Sequence, residues 1–196
     1  MKNLFLTFLV LTIMNPLIAH AGDIKGKVTL SGKGELEDIV VYVEDVKGNF
    51  PLPKKRPEMN HIHIMFKPNI LAVMKGSTVD FPNSDPLFHS AFSISKSNPF
   101  DLGLYGPGHE KAVPFPNPGL VEVFCHIHSD MHAYILVLDN PFFAPVSKDG
   151  AFTIHGVPAG TYSVKAWMSP SVNAAKTAAV SNKEAALLNF TLQSAK

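Results

Sequence analysis

Cysteine is almost absent from this chain, because Cys125 is the only one among 196 residues. A single thiol excludes an intrachain disulfide, so the protein is not a small disulfide-stabilised fold. In an oxidising compartment a free thiol is open to oxidation unless it is deeply buried or held by a metal as a thiolate. Both interpretations remain open on composition alone: a small buried apolar side chain or a metal ligand.

Charge is also scarce, since 17% of the residues are Asp, Glu, Lys or Arg and the formal net charge is +1. Nucleic acids and anionic lipids attract surfaces with a basic surplus. The composition therefore predicts no nucleic-acid partner. Long apolar runs are missing after the N-terminal segment, so the sequence predicts no membrane span beyond it.

The N-terminal segment has the pattern of a secretory signal. Lys2 precedes an apolar run over residues 4–18, and Ala19-His20-Ala21 follows. A basic start, a short apolar core and an A-x-A ending are typical of a cleaved signal. We predict that residues 1–21 form a signal peptide cleaved after Ala21, with export to a bacterial periplasm. An uncleaved anchor is the alternative, which Pro16 and the small-residue ending disfavour.

Turn-forming residues and short apolar runs predict an all-β fold. The chain has sixteen prolines and thirteen glycines between many short segments rich in Val, Ile and Phe, as in proteins built from strands and tight turns. An alternating pattern predicts one strand at residues 61–66. Residues 96–118 lack periodicity and are predicted as a loop region with short extended pieces. Residues 51–57, with three prolines and a basic run, are predicted as a linker.

Residues 121–138 are the most informative stretch, predicted as a strand, a short loop and a second strand. The loop carries Cys125, His128 and Met131 with the spacing Cys-x2-His-x2-Met. One thiolate, two imidazoles and a weak axial thioether are the ligands of a type 1 copper site. The second imidazole has to come from elsewhere, and His89 lies 36 residues upstream of the cysteine. Zinc is the alternative metal, although it has little use for a thioether.

Two segments together resemble the cupredoxin family over roughly residues 58–141. They are residues 81–93, Phe-Pro-Asn-Ser-Asp-Pro-Leu-Phe-His-Ser-Ala-Phe-Ser, and residues 118–131, Pro-Gly-Leu-Val-Glu-Val-Phe-Cys-His-Ile-His-Ser-Asp-Met. The loop is similar to that of amicyanin, and the wider pattern resembles the plastocyanin-like periplasmic group called methylamine utilization proteins. The resemblance implies a Greek-key β-sandwich with one type 1 copper ion. It makes His89, Cys125 and His128 the equatorial ligands and Met131 the axial one.

The same resemblance implies an electron carrier rather than an enzyme. Its partner would be a redox protein such as a c-type cytochrome or a periplasmic dehydrogenase, met through an apolar patch around the loop histidine. Leu87, Phe88 and residues 104–107 are the candidates for that patch. One position departs from the family pattern, because cupredoxins usually have Asn after the first His, where it braces the cysteine loop. Ser90 stands there in this chain.

The two ends of the chain resemble the halves of a carboxypeptidase regulatory-like, transthyretin-type sandwich. The residues that carry this resemblance are the strands at 26–30 and 39–43, with a Phe-x-Ile strand and a Pro-x-Gly-x-Tyr hairpin at 149–164. We predict a split domain, 22–50 plus 142–196. The linker 51–57 leads from its first part into an inserted cupredoxin domain at 58–141. The alternative is that the N-terminal strands extend the cupredoxin sheet.

Four of the seven histidines outside the predicted copper site, here called the surplus histidines, stand out by their positions. Alternation along a strand predicts that His61 and His63 share one face, while His126 and His132 bracket the cysteine loop. One interpretation is a second copper site, which supports an alternative function as a periplasmic copper-binding protein for tolerance or delivery. Scattered surface and core residues are the interpretation we favour.

Overall fold

The computed structural model describes residues 21–195, so the predicted signal peptide lies outside the described residues except for Ala21. The prediction of an all-β protein is confirmed, because the regular elements of this range are strands and one short 3-10 turn at Leu36–Asp38. Within it, no helix is long and apolar enough to cross a membrane.

The strands follow one another along the whole described range. In chain order they are β1 (Ala21–Ser31), β2 (Val40–Val43), β3 (Asn60–Ile62), β4 (Met65–Lys67), β5 (Ile70–Met74), β6 (Thr78–Pro82), β7 (His89–Ser93), β8 (Phe100–Tyr105), β9 (Glu110–Pro114), β10 (Gly119–Phe124), β11 (His132–Leu138), β12 (Phe143–Pro145), β13 (Ala151–Pro158), β14 (Gly160–Ser169), β15 (Val172–Val180), β16 (Ala186–Leu187) and β17 (Phe190–Gln193).

The terminal parts of the chain build a first sandwich. In one sheet β1 pairs antiparallel with β13 and parallel with β16 and β17. The other sheet has the order β12-β2-β14-β15. Their inner faces enclose an apolar core that includes Ile24, Val41, Val164 and Phe190. The predicted domain boundaries and the name of this domain stay predictions.

The middle of the chain builds a second sandwich. Its large sheet has the order β5-β11-β10-β7-β8, and the pairs β3–β4 and β6–β9 lie opposite. The core between them contains Phe66, Phe81, Phe115 and Ile135, and each of these side chains is at most 1% exposed. Cys125 belongs to the same core. The large sheet therefore places the cysteine loop at the end of a layer that packs against this buried core.

A third core joins the two sandwiches through strands that are apolar on both faces. In β2, Val41 and Val43 face the first core, while Val40 and Tyr42 face the large sheet of the second sandwich. In β11 the odd-numbered residues face the second core, and Leu136 joins the third. Successive side chains of a strand point to opposite faces, so an uninterrupted apolar run indicates burial on both sides. Each such side chain contributes about 1.5–3 kcal/mol on full burial.

The prediction of one alternating strand at residues 61–66 is wrong. β3 and β4 form a hairpin whose turn holds His63 and Ile64 in the left-handed region, at φ 53° and 57°. His61 is buried and His63 is exposed, so the two histidines do not share a face. A carboxylate distant in sequence contacts this turn, because Asp85 accepts hydrogen bonds from the backbone N–H groups of both turn residues.

The loop region with short extended pieces predicted at residues 96–118 contains two paired strands. β8 pairs antiparallel with β7, and β9 pairs antiparallel with β6. Their backbone groups are therefore satisfied by segments that are distant in sequence. The prolines and glycines that favour a loop are mostly gathered at the ends of these strands, where they form the connecting turns.

Candidate metal centre

The loop between β10 and β11 turns the lone cysteine toward the interior. Phe124 ends β10, His132 begins β11, and these two residues face each other across the ladder that the two strands form. Cys125 follows directly and is only 7% exposed. Within the loop, the backbone N–H of Met131 donates to the carbonyl oxygen of His128 over 3.1 Å. The strand pairing thus fixes both ends of a short, tightly turned loop.

Three of the four predicted donors meet here. His89, the first residue of β7, is fully buried, and His128 is partly exposed. The ligand atoms of His89, Cys125 and His128 all lie within 4.8 Å of one another. Nδ1 of His128 is 3.1 Å from Nδ1 of His89 and 3.9 Å from the sulfur of Cys125.

These separations match the size of a small metal ion. Imidazole nitrogen binds an ion such as zinc at about 2.0–2.1 Å and thiolate sulfur at about 2.3 Å. For angles of roughly 100–120° at the ion, two such nitrogens lie about 3.1–3.5 Å apart, and a nitrogen and the sulfur about 3.3–3.7 Å apart. The observed nitrogen–nitrogen distance of 3.1 Å falls in this range, and the observed nitrogen–sulfur distance of 3.9 Å exceeds it slightly. A small shift of the His128 ring toward the sulfur would therefore let two imidazoles and a thiolate hold one ion.

Hydrogen bonds to the sulfur of Cys125 favour its thiolate form. The backbone N–H and the hydroxyl of Ser90 approach Sγ of Cys125 at 3.5 and 3.6 Å. Burial raises the pKa of this thiol, but the N–H groups of Ile127, Ser90 and His128, together with the Ser90 hydroxyl, outweigh it and hold the pKa below its ordinary value. A lowered pKa favours the thiolate, which is the form that binds metals.

Ser90 also ties the cysteine loop to β7. Its hydroxyl oxygen accepts a hydrogen bond of 2.8 Å from the backbone N–H of His126, while the hydroxyl proton is free to point at the sulfur. The departure from the cupredoxin pattern at this position therefore preserves a bridge between the residue after His89 and the cysteine loop.

A buried carboxylate lies behind His89. Nε2 of the ring is 2.9 Å from Oδ2 of Asp85. A carboxylate only accepts, so Nε2 carries the proton and Nδ1 keeps a lone pair. Burial and the nearby His128 hold the pKa of His89 below its ordinary value, against the opposing effect of Asp85. The sequence alone does not single out Asp85, whose only signal is its place in a turn between Pro82 and Pro86.

Met131 is the fourth predicted copper ligand, and it is buried on the same loop as Cys125 and His128. Its side chain is 1% exposed and belongs to the same apolar core as Cys125. A buried thioether on the cysteine loop suits a weak axial donor. The assignment of Met131 as the axial ligand stays a prediction, as do the metal roles of the other three residues.

Comparison with known proteins gives distant likenesses only. No protein-family model matches the chain, and no curated protein matches it. A purple cupredoxin from Nitrosopumilus maritimus is 18% identical over 41% of this chain and 98% of its own, with a TM-score of 0.38.

Two other solved structures have similarly low sequence identity and TM-scores. A copper-containing nitrite reductase from Thermus scotoductus SA-01 is 22% identical over 58% of this chain and 28% of its own, with a TM-score of 0.43. A reduced amicyanin mutant is 13% identical over 50% of this chain and 97% of its own, with a TM-score of 0.40. What the site in this chain can bind therefore depends on its own donors.

The four surplus histidines are dispersed. His61 is buried and stacks on His89, with ring centroids 5.2 Å apart, and His63 lies in the exposed hairpin turn. His126 pairs with Asp101 at 3.1 Å, and His132 pairs with Glu122 at 3.2 Å. Among residues 21–195, no second set of three His, Cys, Asp or Glu donors comes together. The geometry thus favours scattered residues over a second site of such donors.

We expect the metal-free protein to lose stability in mild acid because of His61. Burial holds the pKa of His61 below its ordinary value of 6.5, so below that pH the unfolded chain binds a proton that the folded protein refuses. The free energy of unfolding should fall with decreasing pH, by at most about 1.4 kcal/mol per pH unit for this group. Denaturant unfolding between pH 7.5 and 5 measures the slope.

The matched control for this prediction is His61→Gln, which removes the titrating group. The slope should become smaller without vanishing, since His89 is also buried with a lowered pKa. A variant slope equal to that of the unaltered protein would contradict the assignment to His61.

Proposed function

We propose that the protein is an exported type 1 copper protein that carries single electrons, rather than an enzyme. The observation that supports this most is the meeting of one thiol and two imidazoles within 4.8 Å in a buried frame. The thiol is the only one in the chain and has a lowered pKa. The signal-like pattern of residues 1–21 supports export to the periplasm.

A bound copper ion would supply the one-electron chemistry by alternating between Cu(I) and Cu(II). The chain would supply a frame that does not rearrange. His89 is locked by the Asp85 carboxylate, and Cys125 is tied through Ser90 to the neighbouring strand. Hydrogen bonds and burial around the sulfur also tune a copper potential. A donor set held in this way keeps one geometry in both oxidation states.

Electrons would leave through the partly exposed edge of His128. Large apolar side chains are exposed near it: Leu87 is 44% exposed, Phe88 60%, Leu104 54% and Ile127 48%. We propose that these four residues form an apolar docking patch for a redox partner such as a c-type cytochrome or a periplasmic dehydrogenase. A small apolar patch suits a brief and weak encounter.

A charge placed in this docking patch should slow electron exchange without changing the metal centre. We expect Phe88→Asp to lower the second-order rate of electron self-exchange between oxidised and reduced protein by about tenfold, because it puts like charges into the contact. NMR line broadening of mixed oxidised and reduced samples measures this rate. Ile94→Asp is the matched control, since Ile94 is 81% exposed and follows the opposite end of β7. Equal slowing in both variants would contradict the patch.

Copper loading tests the proposed function directly. Addition of one equivalent of Cu(II) should produce intense visible absorption, because charge transfers from a thiolate to the metal. Ascorbate should bleach the colour and ferricyanide should restore it, with one electron per protein in coulometry. A copper-loaded protein that stays colourless in its oxidised form would overturn the proposal.

The alternative function is copper binding for tolerance or delivery. It predicts that deletion causes copper sensitivity without a respiratory or amine-oxidation defect. A coloured protein whose deletion has only that phenotype would favour the alternative over electron transfer.

A further inference from the structure

The Asp85 carboxylate lies at the meeting point of three hydrogen-bond donors. Its Oδ1 accepts from the backbone N–H of His63 at 3.0 Å, and its Oδ2 accepts from the N–H of Ile64 at 2.7 Å. Nε2 of His89 approaches the same Oδ2 at 2.9 Å. Asp85 is 6% exposed, so these three contacts take the place of the hydrogen bonds that water would make to an exposed carboxylate.

The first two donors come from a turn with an unusual backbone. His63 and Ile64 both have positive φ, although neither is glycine, and such a conformation is strained for a β-branched residue. In this conformation the two N–H groups meet one carboxylate. A second link ties the hairpin to the segment before His89, since the side chains of Asn60 and Ser84 are 2.9 Å apart. The β3–β4 hairpin is thus built around the carboxylate.

The third donor is the imidazole of a predicted ligand. The acceptor at Nε2 fixes the tautomer of His89 and directs Nδ1 toward His128, 3.1 Å away. Stacking against the buried His61 ring holds the plane of His89 from the side. Carboxylate partners of this kind raise the donor strength of a metal-binding histidine.

We propose that Asp85, held by the β3–β4 hairpin, is a positioning residue of the metal centre. It sets the tautomer and orientation of His89 and makes its Nδ1 a stronger donor, which favours Cu(II) over Cu(I). This inference rests on the proposed function, because it takes the group formed by His89, Cys125 and His128 as a copper site.

Asp85→Asn is the variant that tests the proposal. An amide keeps the shape but replaces one acceptor oxygen with a donor, so it cannot accept from all three partners. In the metal-free protein, 15N NMR should show the Nε2–H tautomer of His89 in the unaltered chain and a mixture of tautomers in the variant. The dissociation constant for Cu(II) should rise about 10- to 100-fold. If Cu(II) is weakened tenfold more than Cu(I), the reduction potential rises by about 59 mV.

Asp101→Asn is the matched control, because Asp101 pairs with His126, a histidine outside the donor group. It should leave the tautomer, the copper affinity and the potential unchanged. The double variant Asp85→Asn with Ile64→Gly separates the carboxylate from the stability of the hairpin, since glycine adopts positive φ without strain. The shift in affinity and potential should persist in the folded double variant.

The outcomes separate this proposal from the proposed function. If the unaltered protein gives no coloured copper complex, the proposed function fails first. If it does, but Asp85→Asn leaves tautomer, affinity and potential as they were, the role of Asp85 is overturned and the copper site stands. The role of Asp85 is also overturned if the double variant regains the tautomer, the copper affinity and the potential of the unaltered protein. Asp85 would then serve only to fold the hairpin.

Discussion

Replacement of Cys125 by serine is expected to abolish the intense visible absorption of the copper-loaded protein. The colour depends on a thiolate bound to the metal, and a serine hydroxyl remains protonated at neutral pH. Copper affinity should fall by several orders of magnitude, because two imidazoles remain and the anionic ligand is lost. Titration with Cu(II), followed by absorption and EPR spectra, measures both effects.

The fold should survive this change. Serine is similar in size to cysteine, and Ser90 already offers an N–H and a hydroxyl at that position. His132→Gln is the matched control, since His132 ends the same loop but pairs with Glu122 outside the donor group. It should keep the full absorption. A Cys125→Ser protein that retains the colour, or a His132→Gln protein that loses it, would refute the assignment of the sulfur ligand.

Substitution of Trp167 by alanine is expected to lower the free energy of unfolding by about 3–5 kcal/mol. This is the largest loss of stability expected among the substitutions proposed for this protein. Trp167 is the only tryptophan in the chain, is 5% exposed and lies in the core between the two sandwiches. Its ring meets that of Tyr134 edge-on, with centroids 5.2 Å apart. Alanine leaves a large cavity at the centre of this contact. Denaturant unfolding monitored by circular dichroism measures the loss.

Trp167→Phe is the conservative partner of this variant and should lose less than half as much, since an aromatic ring still fills most of the space. The folded alanine variant should keep its copper absorption, because Trp167 contacts the outer face of the large sheet and the donors lie on the other side. A loss below about 1 kcal/mol would contradict the view that this core joins the two sandwiches.

Sequence reasoning succeeds here where the signal is local. Strands such as β2 and β11 are short runs of Val, Ile, Leu and Tyr, and their length and their β-branched and aromatic content predict them without tertiary information. Cys125 and His128 are three residues apart in one loop, so soft-donor chemistry and spacing suffice to select them as candidate ligands, a role that stays a prediction. His89 needed a further argument, the need for a second imidazole, and the structure does bring it to the loop.

The features that the sequence does not predict have a common physical cause, which is contact between residues distant in sequence. The hairpin turn at His63 and Ile64 depends on a carboxylate 21 and 22 positions away, and alternation alone predicts a continuous strand there. β8 and β9 fall where short extended pieces of a loop region are predicted, but their pairing with β7 and β6 cannot be read from their own composition. Asp85 is inconspicuous as a turn residue until the fold places it behind His89.

The chain leaves the first sandwich and returns to it at almost the same point. The N–H of Val43 donates to the carbonyl of Phe142 over 2.9 Å, and the side-chain amide of Asn140 donates to the carbonyl of Val43 over 2.9 Å. The ends of residues 44–141, which we call the cassette, therefore lie side by side, and we predict that a short connector can take the place of this segment. Its removal would expose Tyr42 and Trp167, which pack in one core with Ile70 and Leu136 of the cassette. Any scaffold that receives it, and any insert that replaces it, has to bring a matching apolar face.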